Sequence, residues 1–385
     1  MKKYLIVLLA ATLTVTAFAQ EFRVSGEVKT GILSTIEETK IKPRKERTGA
    51  GSKDDAGGGA GRFRLNAEYL HNNLGFKFRI NWEQWGESQP QWPYAFGYGN
   101  FYDDQLTISI GKLGASPWGS GGPELWKELE AVGTTGGMRV EYKPSFVPGL
   151  NVGFVINGFN KDTDMWPDEE PITFLHVLEE TVIGASYIHD LFMVRAAIKL
   201  DSEVDQMRGT ASGKEGAELL YRIEEHILDQ YLPGFKIWAL GYYLGIGADK
   251  SMKDEFVMNN WLFFEYAPEL FTAQLRFGLD SIENRTVFHV RPNFFVKLFD
   301  NLINVGMMFQ YAQDYGDGKV FEGSPYYYME IEPKVQINFA PNAYAAFAYN
   351  WRREYVTLTQ THKDMGITEP IKQNQWINLR FGIYF

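Results

Sequence analysis

From residue 22 to the last residue, apolar and polar positions alternate in short segments. In "FRVSGEVKTGI", Phe22, Val24, Gly26 and Val28 fall on one face and Arg23, Ser25, Glu27 and Lys29 on the other, because successive side chains point to opposite sides of a strand. "RFRLNAEYL" sets Phe63, Leu65, Ala67 and Tyr69 against Arg62, Arg64, Asn66 and Glu68. After "HNN", the run "LGFKFRINW" sets Leu74, Phe76, Phe78, Ile80 and Trp82 against Lys77, Arg79 and Asn81. The same period predicts strands near 96–102, 106–111, 134–143, 150–157, 178–188, 191–200, 216–225, 235–247, 256–266 and 270–280. It continues near 286–298, 302–313, 325–339, 343–353 and 374–385, which makes eighteen. Two of these fit less well, since 256–266 mixes its faces and Pro292 removes a ladder donor. Sixteen strands therefore stays open.

The connections sort by parity. One series is mostly short ("HNN", "DDQ", "PSFVPG", "HD", "APE", "FDN", "APN"), with "HILDQYLPG" the long exception. The other is mostly long and polar (35–60, 83–95, 112–133, 158–177, 201–215, 248–255, 314–324, 354–373), with only "SIENR" brief. Nothing in a soluble sandwich sorts loops this way, whereas a transmembrane antiparallel up-and-down β-barrel has short periplasmic turns and long extracellular loops. The polar faces carry charge mid-strand, as in "RFRLNAE", "AQLRFGL" and "YMEIEPKVQINF". Aromatic residues crowd strand ends, as in "INWEQW", "WLFFEY" and "YNWRR", where interfacial girdles sit. The fold expected is all-β, with the apolar faces toward lipid and the polar faces lining a lumen.

The N-terminus bears on location. "MKKYLIVLLAATLTVTAFAQ" has Lys2 and Lys3, an apolar stretch, and the small-x-small triplet ending at Ala19, the order of a cleaved signal peptide over 1–19. Residues 20–385 then form a single barrel domain. Removing the two lysines takes the formal charge from -10 to -12, which argues against a nucleic-acid partner. Cysteine is absent, which excludes disulfides and thiolate metal sites. The longest later apolar run, Ile237 to Ala248, is interrupted by three glycines and is too short for a spanning helix.

The chain ends "NQWINLRFGIYF", with Ile377, Leu379, Phe381, Ile383 and Phe385 on one face to the final residue. With the leader and the alternation throughout, this last strand resembles that of Gram-negative outer-membrane porins. "DQLTISIGKLGAS", Asp104 to Ser116, is similar to the porin strand that runs into the long third loop. The resemblance implies an outer-membrane channel, exported through the inner membrane, that passes small hydrophilic solutes and ions. Its implied partners are lipid, lipopolysaccharide and the barrel assembly machinery, which would recognise Phe385 and its same-face partners. Both a monomer and a homotrimer fit.

A barrel of sixteen to eighteen strands leaves an aqueous channel, so selective passage needs a constriction. The third loop, 112–133, is the candidate for folding into the lumen. Its glycines and prolines allow a sharp turn, and Glu124, Lys127 and Glu128 sit on a short helical stretch with the two glutamates four apart. The resemblance implies an acidic loop opposite a basic wall. Arg23, Lys29, Arg62, Arg64, Lys77 and Arg79 supply one on the first three strands, and Arg380 joins them if the last strand closes on the first. Partial pairing with Glu27 and Glu68 is the plainer reading of the same residues.

Other chemistry finds little support. "NKDTDMWPDEE" has Met165 where a calcium loop needs glycine and is followed by Pro171 where it needs glutamate. "AGGGAGR" follows no buried strand and opens no helix. No Gly-x-Ser-x-Gly or His-Glu-x-x-His is present, so neither an enzyme, a metal site nor a cofactor is expected. Of the histidines, His71, His189 and His226 fall at the periplasmic side, His289 in the lumen, and His176 and His362 in outer loops. A substrate-specific channel for a sugar or other nutrient, and a plugged barrel acting as an adhesin or structural protein, remain the alternatives. Trp82, Trp85, Trp92, Trp118 and Trp126 would serve the former as stacking residues or serve as girdle and loop packing.

Overall fold

A computed structural model describes residues 21–39, 45–50, 61–83, 91–113, 117–118, 137–157, 181–199, 217–246, 257–282, 285–314, 325–356 and 371–385. The proposed leader, 1–19, lies outside the described residues, as does most of the third loop.

The strands follow the alternation closely. The first group is β1 (Glu21–Thr39), β2 (Lys45–Ala50), β3 (Gly61–His71), β4 (Leu74–Glu83), β5 (Gln91–Phe101), β6 (Leu106–Lys112) and β7 (Gly137–Tyr142). Next come β8 (Leu150–Asn157), β9 (Thr181–His189), β10 (Phe192–Lys199), β11 (Ala217–Glu225), β12 (Phe235–Ile246) and β13 (Val257–Tyr266). The last are β14 (Phe271–Ile282), β15 (Arg285–Leu298), β16 (Ile303–Asp314), β17 (Pro325–Ala340), β18 (Ala343–Val356) and β19 (Ile371–Tyr384). From β3 onward each pairs antiparallel with its sequence neighbours, β1 takes both β2 and β3, and β19 pairs with β1, closing the sheet on itself.

Nineteen strands occupy eighteen positions. β3 pairs with Glu21 to Thr30 of β1 and β2 with Ile32 to Glu37, so β2 and β3 lie in line on one side of β1 and fill a single place. This settles the count against sixteen. Pro292 is accommodated inside β15: the ladder to β16 lapses over Arg291 and Pro292 and resumes in the same register at Asn293. The ring absorbs the missing donor without a break in strand order. Several strands run past their expected ends, notably β1 to Thr39 and β18 to Val356, because ladder hydrogen bonds continue where the apolar alternation has already faded.

The short connections gather at one end of the barrel. Asn72, Asp103, Asp104, Asp300 and Asn301 adopt positive φ there, the conformation that tight turns demand and that Asn and Asp tolerate best. Tyr102, Phe146, Tyr231 and Phe299 are highly exposed at the same end, forming the ring of aromatic residues expected at a membrane interface.

Candidate pore lining and constriction

The burial pattern is the inverse of a soluble protein's. On β6, Ser109 is 1% exposed while its neighbour Ile110 is 62% exposed. Glu27, Asn81, Arg139, Glu141, Asn259, Gln310, Glu330, Asn350 and Arg380 are buried. Ile32, Phe76, Ile183, Phe294, Met307, Ile337, Phe347 and Phe381 are exposed. In a closed ring the less exposed face is the inner one, so the charged and amide side chains line the lumen and the aliphatic and aromatic ones form the outer surface. An outer surface of that composition would be unstable in water and is what lipid requires.

The predicted basic residues all lie on the inner face of β1, β3 and β4, and register places carboxylates among them. Lys29 and Arg62 each hold Glu27, at 2.9 and 2.8 Å, and Arg64 approaches it at 3.4 Å. Lys77 pairs with Glu68 at 2.8 Å, and Arg23 pairs with Glu21. Arg79 donates to Asn66 Oδ1 at 2.6 Å and lies over the Tyr94 ring. Arg380 is buried on the inner face of β19, beside β1. The wall is thus a braided set of ion pairs with a surplus of cations around Glu27.

A second polar network, which the sequence alone did not single out, covers the inner face of β15 to β18. Arg291 donates to Gln310 Oε1 through Nε at 2.9 Å, and Gln310 Nε2 donates to the Tyr328 hydroxyl at 2.5 Å. Arg352 pairs with Glu354 at 2.6 Å and Glu330 at 3.6 Å, with its guanidinium 4.0 Å from the Tyr328 ring centroid. Asn350 donates to both Glu330 and Glu332. Their signal was present as alternate polar residues on β17 and β18, but only the register shows which of them meet.

Between these polar walls the lumen departs from expectation. The inner face from β8 to β13 carries an apolar cluster, with Val155, Val182, Ala197, Leu220, Leu240, Trp261 and Phe263 buried together, beside polar residues such as Arg222, Glu224 and Asn259. Trp238 stacks on Phe263, centroids 4.9 Å apart and planes 8° from parallel. This accounts for the mixed faces of β13: Trp261 and Phe263 are inward, Leu262 and Phe264 outward. His289 is in the lumen as expected, its ring 5.3 Å from Trp261.

Trp118 joins this apolar wall. It belongs to the third loop, is 0% exposed, and packs over the inner face of β8 and β9. A Cβ on Gly184 would lie 2.3 Å from the indole, and one on Gly153 2.8 Å from it. Only glycine leaves room for the ring at both places. Leu113, just before it, is buried in the same cluster. Glu124, Lys127 and Glu128 lie outside the described residues, as do Trp85, Trp126, His176 and His362. Trp82 and Trp92 are partly exposed, and Trp92 contacts outward-facing Phe78.

Ile377, Leu379, Phe381, Ile383 and Phe385 share the outer face of the closing strand. Gly26 N–H donates to the Phe385 carbonyl at 2.6 Å and the Gly26 carbonyl accepts the Phe385 N–H at 3.0 Å. The Phe385 ring occupies the space that a side chain on Gly26 would fill.

No protein-family model matches the chain, and no curated protein matches it. Solved structures do. The outer membrane channel DcaP of Acinetobacter baumannii aligns over 95% of this chain and 97% of its own, at 9% identity and a TM-score of 0.51. Pseudomonas putida OprB aligns over 97% and 96%, at 10% identity and 0.51. A loop-deletion mutant of OmpT, an outer membrane protein of Vibrio cholerae, aligns over 95% and 99% at 13% identity, with a lower score of 0.48. At such identities the likeness concerns the fold: a closed antiparallel barrel of the outer-membrane type.

Proposed function

We propose that this protein is an outer-membrane porin, a water-filled channel for passive diffusion of small hydrophilic solutes and ions, and not an enzyme. The observation that carries the reading is the inverted burial pattern in a ring of eighteen positions. Side chains can fill a barrel of about eight strands but leave a lumen at this size. The likeness to solved outer-membrane channels supports the same reading.

The third loop, 112–133, narrows the channel by folding inward. Trp118 and Leu113, two of its described residues, are buried against inward-facing residues, and the full burial of Leu220 and Leu240 on the inner wall calls for cover from within. The acidic stretch with Glu124, Lys127 and Glu128 would then face the cationic surplus around Glu27. Liposome swelling tests both parts. Refolded protein should admit sugars at rates that fall smoothly with size, and Trp118→Ala should admit larger sugars by loosening the loop. A barrel that admits no solute is plugged, and the channel reading fails. One sugar entering anomalously fast would instead favour the substrate-specific alternative, for which inward-facing Tyr94, Phe96 and Tyr98 offer a run of rings.

A further inference from the structure

At the short-turn end, β1, β3 and β16 to β19 enclose a cavity of about 880 Å³ on the inner side of the wall. Lys29, Arg62, Lys334 and Arg380 all line it, each from a different strand. Asp300 is the single carboxylate among the described lining residues. Lys29 and Arg62 share Glu27, and Glu332 lies near Lys334, so even counting both of those carboxylates the four cations exceed the anions by one. Asn304 and Gln336 add neutral amide donors.

Register explains why these side chains converge. Lys334 and Gln336 of β17 and Arg380 of β19 flank β18 on either side, opposite Ala348 and Ala346. Both alanines are buried, so the polar surface of the recess is carried by the long side chains that rim it, Lys334, Gln336 and Arg380 among them. Closely set cations cost energy when they face one another, and a bound anion relieves that cost while accepting charge-assisted hydrogen bonds.

We propose that this recess is a binding station for small oxyanions of the phosphate type, distinct from the constriction proposed above. Multiple charge and several acceptor oxygens match a site with four cations and amide donors, whereas chloride exploits the charge alone. The station rests on the channel reading for its route of access, since the recess opens to the lumen.

Two measurements on the folded full-length chain separate the station from the channel. Calorimetric titration of inorganic phosphate into the barrel in detergent reads binding, and planar-bilayer recording reads conduction. Saturable phosphate binding is expected. Lys334→Gln should weaken it roughly tenfold, the loss of one charge-assisted bond, and Lys334→Arg should largely retain it. Gln336→Met, which removes an amide donor from the lining without altering charge, should also weaken it. In the bilayer, phosphate added from one side should reduce the chloride current at lower concentration than from the other. A barrel that conducts chloride but binds no phosphate, or whose binding ignores both Lys334→Gln and Gln336→Met, overturns the station. A barrel that binds phosphate with these dependences but conducts nothing overturns the channel and leaves the station standing.

Discussion

Gly26 joins the two ends of the barrel by having no side chain. The Phe385 ring lies where a Cβ would project, and two backbone hydrogen bonds tie the residues together. Gly26→Val should therefore displace the ring and destabilise the closed form by about 1–3 kcal/mol, the usual cost of overpacking, as read from a guanidinium titration followed by tryptophan fluorescence. Deleting Phe385 should lower the yield of folded barrel in membranes before it changes conductance. Normal insertion of that deletion would count against an assembly role for the terminal stripe. The place of Phe385 on the outer face of the last strand was legible in the sequence from the pattern. The role of Gly26 was not, because a glycine on an apolar face gives no sign of the ring that covers it.

Among the strands, the period of two reports the contrast between faces and fails where that contrast vanishes. β1, β3 and β4 were plain because charge alternates with aliphatic and aromatic residues. β13 was ambiguous because Trp261 and Phe263 face inward while Leu262 and Phe264 face outward, leaving little contrast to detect. Leu262 is mid-strand and outward, so Leu262→Arg should destabilise the barrel in bilayers by about 2–4 kcal/mol, the cost of a charge at lipid depth. The same guanidinium titration, performed in lipid, measures it, and an unchanged midpoint would argue that this face does not meet lipid. The split of one ladder position into β2 and β3 was also hidden, since no hydrophobic stripe marks "KERTGA".

For the whole molecule, charge distribution decides what passes. The cations of the first strands and their partial pairing with Glu27 and Glu68 were visible from the sequence, but which cation meets which carboxylate was not. Glu27 meets Lys29, Arg62 and Arg64 only once β1 and β3 are aligned across the intervening segment. A net positive wall survives the pairing, so replacing Arg62, Arg64 and Arg79 together by glutamine should shift the reversal potential in a salt gradient toward cation preference, by several-fold in permeability ratio. An unmoved potential would place the selectivity determinants elsewhere in the lumen.

The seam between β1 and β19 has a kinetic meaning. Apart from β1 with β3, which spans only the segment holding β2, every other pairing in the ring joins segments adjacent in the chain, as hairpins do, while this one brings together Glu27 to Thr39 and Lys372 to Tyr384. The entropy lost in closing so long a loop grows only logarithmically, adding about 0.6 kcal/mol for each doubling of its length. Non-local pairing nevertheless slows folding sharply. The barrel can therefore be nearly complete as an open curved sheet whose two unsatisfied edges are its most aggregation-prone surfaces. Its soluble lifetime before closure is set by how long those edges remain shielded.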